Sequence, residues 1–269
     1  MRLYMRQMVI IWIFFVMIIP PAQADTGYTL RPVRDSVIST LGLGIATGGF
    51  FYHGSANTQM PKADLIKLDS VCILPRNNTL DTGGTILASS ALLLPGITVL
   101  TIEKNLNTWT TYAVMYLQAF SLTAGTKNML KAAISRWRPY TYIEGFSAKT
   151  AEANGNYEYY DSFPSGHTSY AFLGASFFTA SFWHEHQQST WRIPVAVSAY
   201  TAATAVGVLR VASGEHFISD VATGAAIGTL FGFLVPFIHR QQTENTAIST
   251  GQNTQIVPLR NGISFTILY

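Results

Sequence analysis

Charged side chains are scarce in this chain, and so is cysteine. Only 12% of its 269 residues are charged, against about 25% in an average soluble domain. The formal net charge is +3, with no basic run, which excludes a nucleic-acid-binding protein. The single cysteine, Cys72, excludes an internal disulfide and a cysteine-based zinc site. Hydrophobic residues reach 48% and aromatic residues 13%, a composition that favours a membrane protein.

The N-terminus has the parts of a secretory signal. Arg2 and Arg6 precede the apolar stretch Met8 to Ile19, and Ala22-Gln23-Ala24 follows two prolines. A positive region, an apolar core and an Ala-x-Ala end predict a signal peptide over residues 1–24. An uncleaved first membrane helix is the alternative, and in both cases residue 25 is exported.

The remaining chain divides into an exported region (25–84), a helical core (85–240) and a polar C-terminal tail (241–269). The glycine-rich segment Ser36–Tyr52 could cross a membrane, lie on its surface or pack as a buried helix. Alternation over Ile263–Ile267 predicts one short strand. Five apolar segments are long enough either to span a bilayer or to form the core of a large soluble bundle: Thr85–Ile102, Thr110–Leu130, Thr168–Trp183, Ile193–Leu209 and Phe217–Ile238.

Three clusters of polar residues stand at the ends of these segments. In the first, Lys131 and Arg138 are two helical turns apart, which predicts that both cations project from one helical face. Pro139 places Arg138 near the helix end. Taken alone, the pair also fits two cations that reach for lipid headgroups.

The second cluster, Phe163 to Thr168, directly precedes an apolar helix. Ser165 and Gly166 would stand at the helix start, where free backbone amides favour an anion. His167 would lie beside that anion with a proton to donate. An ordinary helix cap with an incidental histidine is the alternative.

The third cluster runs from Arg210 to Asp220. Arg210 ends one apolar helix, Gly214 interrupts the chain, and the next helix begins near His216. His216 and Asp220 are four positions apart, so the carboxylate could accept an imidazole N–H and make the other nitrogen more basic. A structural His–Asp pair would show the same spacing.

Together the clusters supply what phosphoryl transfer requires. Three cations, two histidines, a carboxylate and an open helix start can position a phosphoryl group and stabilise its developing charge. The sequence has no coherent metal-binding cluster, so these cations would take the part that magnesium plays elsewhere. We therefore predict a metal-free site without a cofactor.

The three clusters resemble the signature of the type 2 phosphatidic acid phosphatase (PAP2) and vanadium haloperoxidase superfamily. Its pattern is K-x6-R-P, then P-S-G-H, then S-R-x5-H-x3-D. The chain matches every position except the serine before the arginine, which is Leu209. The resemblance spans Lys131 to Asp220, and the leucine leaves fine substrate preference open.

The resemblance implies both fold and roles. The fold would be an all-α helical bundle with five or six membrane helices. His216 would attack phosphorus, Asp220 would orient it, and His167 would protonate the leaving oxygen and then activate water. The implied phosphate-binding groups are Lys131, Arg138, Ser165, Gly166 and Arg210.

The resemblance also sets the range of functions. It implies a lipid phosphatase of the bacterial inner membrane, acting on lipid A, undecaprenyl diphosphate or phosphatidate, with a site that faces the periplasm. The alternatives are a soluble periplasmic acid phosphatase, a vanadium-dependent haloperoxidase and a non-catalytic phosphate-binding membrane protein. The oligomeric state stays open.

Overall fold

The computed structural model describes residues 27–51, 65–102, 105–155 and 158–241, together with three short strands in the tail. The predicted signal peptide lies outside these residues. The chain folds as two compact units, one that ends at His239 and one that begins at Arg240.

The first unit is built from helices, which confirms the predicted all-α bundle. The helices are α1 (Pro32–Phe51), α2 (Lys67–Ser70), α3 (Asn78–Leu92), α4 (Pro95–Thr101), α5 (Leu106–Ile134), α6 (Ala148–Ala153), α7 (Gly166–Glu185), α8 (Arg192–Ala212) and α9 (Ile218–His239), with short 3-10 turns at Pro139–Tyr142 and Glu158–Tyr160. The second unit holds an antiparallel sheet of β1 (Ile248–Ser249), β2 (Thr254–Leu259) and β3 (Gly262–Ile267). The predicted strand is β3, and the other two strands were not expected.

The apolar segment predicted over Thr85–Ile102 is two helices instead of one. Helix α3 ends at Leu92 and α4 begins at Pro95. Proline has no N–H to donate, and its ring clashes with the carbonyl four residues before it, so the helical hydrogen bonds are interrupted there. The start of α3 is fixed by Asn77, whose side chain accepts from the amides of Thr79 and Leu80.

Helix α7 is the centre of the bundle. Most of its residues are buried, including a run from Leu173 to Phe182, and small residues let its neighbours approach closely. Helix α9 runs parallel to it, with a glycine at every fourth position of the contact. A Cβ on Gly224 would lie 2.6 Å from the Ser165 carbonyl oxygen, and one on Gly228 would lie still closer to that of Ser169. This close contact brings the start of α7 against the start of α9.

Helix α1, which contains most of Ser36–Tyr52, packs against the bundle alongside α5. Near its start, the Gln118 side chain donates to the Asp35 carbonyl oxygen at 3.1 Å. Further along, a Cβ on Gly125 would lie 2.8 Å from the backbone nitrogen of Ala46. From the first of these contacts to the second, the residue numbers increase along both helices, so α1 and α5 are parallel. The start of α1 meets the end of α9, where the His239 imidazole lies 2.9 Å from the Asp35 carboxylate.

Long apolar helices and exposed apolar side chains identify the chain as a membrane protein. In the described ranges, three stretches are long and apolar enough to cross a membrane: Asn78–Thr101, Arg192–Ala212 and Ile218–His239. Large apolar side chains on them face outward, and Ile193 and Val208 are 69% and 61% exposed. Such a surface suits lipid better than water. The larger number of five or six membrane helices stays a prediction.

The contact between α7 and α9 predicts the effect of a single methyl group. Gly228→Ala places a Cβ against the backbone oxygen of Ser169, which cannot move without the helix, so the helices must separate. We expect a loss of about 1–3 kcal/mol in unfolding free energy. Gly96→Ala is the control, because its Cβ would meet no atom within 4 Å. Thermal unfolding in detergent measures both variants, and equal stability would show that the close contact is not required.

Candidate active site

His216 lies in the turn between α8 and α9 and is 2% exposed. Its Nδ1 lies 2.7 Å from the backbone carbonyl oxygen of Ser162. A carbonyl oxygen can only accept, so Nδ1 carries the proton and Nε2 keeps its lone pair. Burial lowers the pKa of His216 to about 3; the nearby Asp220 carboxylate raises it and the positive charge of Arg138 lowers it. The imidazole is therefore neutral near pH 7, as a nucleophile must be.

Asp220 lies near this imidazole without bonding to it directly. Its Oδ2 is 3.6 Å from Nδ1 of His216 and accepts from the Ser162 hydroxyl at 2.5 Å and from the Phe217 amide at 2.9 Å. The sequence prediction of a direct His–Asp hydrogen bond is thus modified. The carboxylate holds Ser162, and the Ser162 carbonyl oxygen holds the imidazole. His216 also precedes α9, which begins at Ile218.

The Asp220 carboxylate has a buried counter-charge that the sequence did not reveal. Arg136 donates from Nη1 to its Oδ1 at 2.6 Å and from Nη2 to Asp69 at 2.8 Å. Both carboxylates are fully buried. Asp69 also accepts from the amide and hydroxyl of Ser219. No spacing rule links Asp69 with Asp220, because the contact joins distant parts of the chain.

Lys131 and Arg138 reach the site by a different route from the predicted one. Helix α5 ends at Ile134, with Ser135 in the left-handed region at φ 42°, so the two cations do not share a helical face. Arg138 instead lies in extended backbone just before Pro139. The spacing would give a shared face only if the helix continued to Arg138, and the proline opposes that continuation.

Backbone carbonyl oxygens in the segment just before Ser162 hold both cations. Lys131 donates to the Asp161 carbonyl oxygen, and Arg138 Nε donates to that of Glu158 at 2.7 Å. Aromatic rings stiffen this segment: the Tyr159 ring lies 5.0 Å from that of Trp137. Two carbonyl oxygens, one for each cation, therefore orient Lys131 and Arg138 before any substrate arrives.

The start of α7 follows the sequence prediction closely. Ser165 is the residue before the first turn and Gly166 is the first helical residue. The Ser165 amide donates to the Asp220 carbonyl oxygen at 3.0 Å, which ties the second motif to the third. His167 stands in the first turn, with Nε2 3.2 Å from the Thr85 hydroxyl. The charges of Arg138, Arg210 and Lys131 all act on it, so the predicted site residues meet at one end of the bundle.

Further charged residues at this end were missed by the sequence analysis. Arg210 pairs with Asp81, and the Glu215 carboxylate lies among several arginines. The Lys127 side chain runs beside Gly166, where a Cβ would lie 3.1 Å from its Cδ. Glu215 directly precedes His216, and that position was the one available signal. In the described part of the chain, no group of three or more His, Cys, Asp or Glu side chains could hold a metal ion. The metal-free site stays a prediction.

This geometry assigns a large stabilising effect to Arg136. Arg136→Gln leaves Asp69 and Asp220 buried without their shared cation, which typically costs 3–5 kcal/mol. We expect a loss of about 3 kcal/mol in unfolding free energy, measured by thermal unfolding at pH 7. Arg31→Gln is the control, because Arg31 is exposed. A loss no larger than that of the control would mean that other groups neutralise the two carboxylates.

Comparison with known proteins agrees with the motifs. The lipid A 1-phosphatase of Porphyromonas gingivalis is 39% identical over 74 residues, which cover 28% of this chain and 15% of that protein. A probable diacylglycerol pyrophosphate phosphatase of Schizosaccharomyces pombe is 31% identical over 86 residues, 30% of this chain and 29% of the relative. The chain thus matches less than a third of the length of either relative.

A solved structure and a family model extend the comparison. The crystal structure of a transmembrane PAP2-type phosphatidylglycerolphosphate phosphatase from Bacillus subtilis is 22% identical, with a TM-score of 0.46, over 76% of this chain and 94% of that one. The model of the PAP2 superfamily matches residues 112–244, which contain all three motifs. Over residues 112–244 the chain belongs to the PAP2 superfamily.

Proposed function

We propose that this chain is a membrane lipid phosphatase that hydrolyses a phosphomonoester or pyrophosphate through a phosphohistidine at His216. The observation that carries the proposal is the buried, neutral imidazole, whose Nδ1–H is fixed by Ser162. Its free Nε2 is the only ring nitrogen left to attack. The names of the relatives, which concern lipid A and diacylglycerol pyrophosphate, support a lipid phosphate as substrate.

In the first step, Nε2 of His216 attacks phosphorus and the bond to the leaving oxygen breaks. His167, in its protonated imidazolium form, donates a proton to that oxygen and becomes neutral. Lys131, Arg138, Arg210 and the amides at the start of α7 bind the phosphoryl oxygens, with the two arginines able to give paired N–H donors. This stabilises the charge that develops in the transition state.

In the second step, neutral His167 takes a proton from water as the water oxygen attacks phosphorus. The bond to Nε2 breaks, and inorganic phosphate leaves with His216 neutral again. Asp220 acts in both steps through Ser162, since it keeps the proton on Nδ1. The phosphomonoesters of lipid A and phosphatidate and the pyrophosphate of undecaprenyl diphosphate all fit this chemistry.

Phosphate release from these three lipids in detergent, with p-nitrophenyl phosphate as the soluble comparison, tests the proposal. We expect His216→Ala to abolish release and Asp220→Asn to leave a small residual rate, because the imidazole remains but loses its orientation. His186→Ala serves as the control, because His186 follows the last residue of α7, at the end of that helix away from the site. Activity of His216→Ala close to that of the unchanged protein would rule out the covalent mechanism. Hydrolysis of p-nitrophenyl phosphate alone would instead indicate a non-specific acid phosphatase.

The proposed location is the bacterial inner membrane, with the site facing the periplasm. Helix α1 runs parallel to α5, towards the site end, so residues 27–31 lie at the opposite end of the bundle. If α1 crosses the membrane, a periplasmic site places these residues in the cytoplasm. The export of residue 25 and a periplasmic site are then incompatible. We retain the periplasmic site, so the export of residue 25 requires that α1 packs against the bundle without crossing the membrane.

Two cysteines, placed at opposite ends of the bundle in a Cys72→Ala background, test this orientation. Lys149→Cys lies in the short helix α6 at the site end, and Gln188→Cys lies between α7 and α8; both positions are exposed. With the outer membrane opened, an impermeant maleimide should label Lys149→Cys, while Gln188→Cys should need inner-membrane rupture. The reverse result means a cytoplasmic site and a translocated N-terminus. Labelling of both means that the bundle does not span the inner membrane.

A further inference from the structure

Three guanidinium groups surround one buried carboxylate at the active site. Glu215 is 1% exposed and lies between α8 and His216. Arg76 Nε is 2.7 Å from its Oε1, Arg138 Nη1 contacts Oε2, and Arg210 Nη2 is 3.8 Å from Oε2. Glu215 therefore shares the two arginines that the mechanism assigns to phosphate.

A second carboxylate completes the arrangement. Asp81 contacts Arg210 Nη1 through Oδ1, and its Oδ2 lies 3.8 Å from Arg76 Nη2. Arg76 is 39% exposed, whereas Arg210 is 2% exposed. The carboxylates thus link two deeply buried arginines to one at the rim of the site. Arg76 lies outside the three sequence motifs, and Glu215 occupies a position of the third motif at which the pattern specifies no residue.

Carboxylate and phosphoryl oxygens are the same kind of acceptor for a guanidinium. A phosphoryl group that uses the N–H donors of Arg138 and Arg210 must therefore compete with Glu215. The Arg76 guanidinium attracts the other oxygen of the same carboxylate and offers it an alternative partner. The affinity of the site for an anion then depends on how Glu215 divides its contacts between Arg76 and the pair of Arg138 and Arg210.

We propose that Glu215 and Arg76 are a positioning pair that limits how tightly the site holds phosphate, and so favours release of the inorganic phosphate product. This inference rests on the proposed function. Glu215 competes with phosphate for Arg138 and Arg210, and Arg76 draws Glu215 away from them. Arg76 acts through Glu215 and is not a direct ligand of the phosphoryl group.

Binding of inorganic phosphate to the full chain in detergent, measured by calorimetry, tests the pair without requiring turnover. Glu215→Gln removes the competing charge at nearly constant shape. We expect its dissociation constant for phosphate to fall about tenfold, the effect of one charged hydrogen bond. Glu158→Gln is the matched control: its carboxylate lies 3.8 Å from the same Arg138 but is 71% exposed, so solvent screens it and affinity should change less than about twofold.

The Arg76 variants separate the pair from ordinary charge effects. Arg76→Gln should raise the phosphate dissociation constant about threefold or more, since Glu215 then turns to Arg138 and Arg210. In the Glu215→Gln background the same change should have a clearly smaller effect, because only the more distant Asp81 contact of Arg76 then remains. Equal losses in both backgrounds would show that Arg76 binds phosphate directly and would overturn the inference. If Glu215→Gln does not fold, the single Arg76→Gln variant still provides a test, because unchanged phosphate affinity in it would overturn the inference.

The two proposals can fail separately. Unchanged or weaker phosphate binding in Glu215→Gln, with lipid phosphate hydrolysis intact in the parent protein, overturns the positioning pair alone. The expected binding changes without hydrolysis of any lipid phosphate overturn the proposed function and leave a regulated phosphate-binding site. In the active enzyme, Glu215→Gln should lower both KM and kcat, because phosphate leaves more slowly.

Discussion

The burial of Asp220 is the constraint on which the rest of the site depends. A carboxylate at 0% exposure is stable only if other groups replace the water that it loses. Arg136, the Ser162 hydroxyl and the Phe217 amide do so here. Once Ser162 is held in this way, its carbonyl oxygen fixes Nδ1 of His216. The charge balance of Asp220 therefore determines which nitrogen of the nucleophile is free.

The helix packing and the site chemistry are parts of one arrangement. The glycines of α9 allow its backbone to approach α7, and this contact places the Ser165 amide on the Asp220 carbonyl oxygen. The amides at the start of α7 and the imidazole before α9 thus meet without a flexible connection. A preorganised site of this kind stabilises a transition state without the cost of rearrangement. Loosening the helices would separate the anion-binding amides from the nucleophile.

The features of the structure that depend on local spacing could be predicted from the sequence. The apolar segments, the helix start at Ser165 and the interruption near Gly214 follow from propensity and capping, and the three motifs identified the residues that meet in space. The failures have local causes too, since Pro95 divides one segment and the left-handed Ser135 ends α5 before Arg138. Asp69, Asp81 and Arg76 could not be predicted, because their contacts join distant parts of the chain. Glu215 was visible beside His216, but its role depends on those long-range partners.

The central claim is that a neutral His216 forms a covalent bond to phosphorus. The most direct test mixes the full chain with phosphatidate that carries a label in its phosphate group. The reaction is quenched rapidly, and peptide mapping locates the label. The account predicts label on the peptide that contains His216, stable to alkali and lost in acid, at a level that rises before steady-state hydrolysis. No label should form in His216→Ala. Phosphate release at the normal rate without any labelled peptide, or with the label on another residue, would contradict the account.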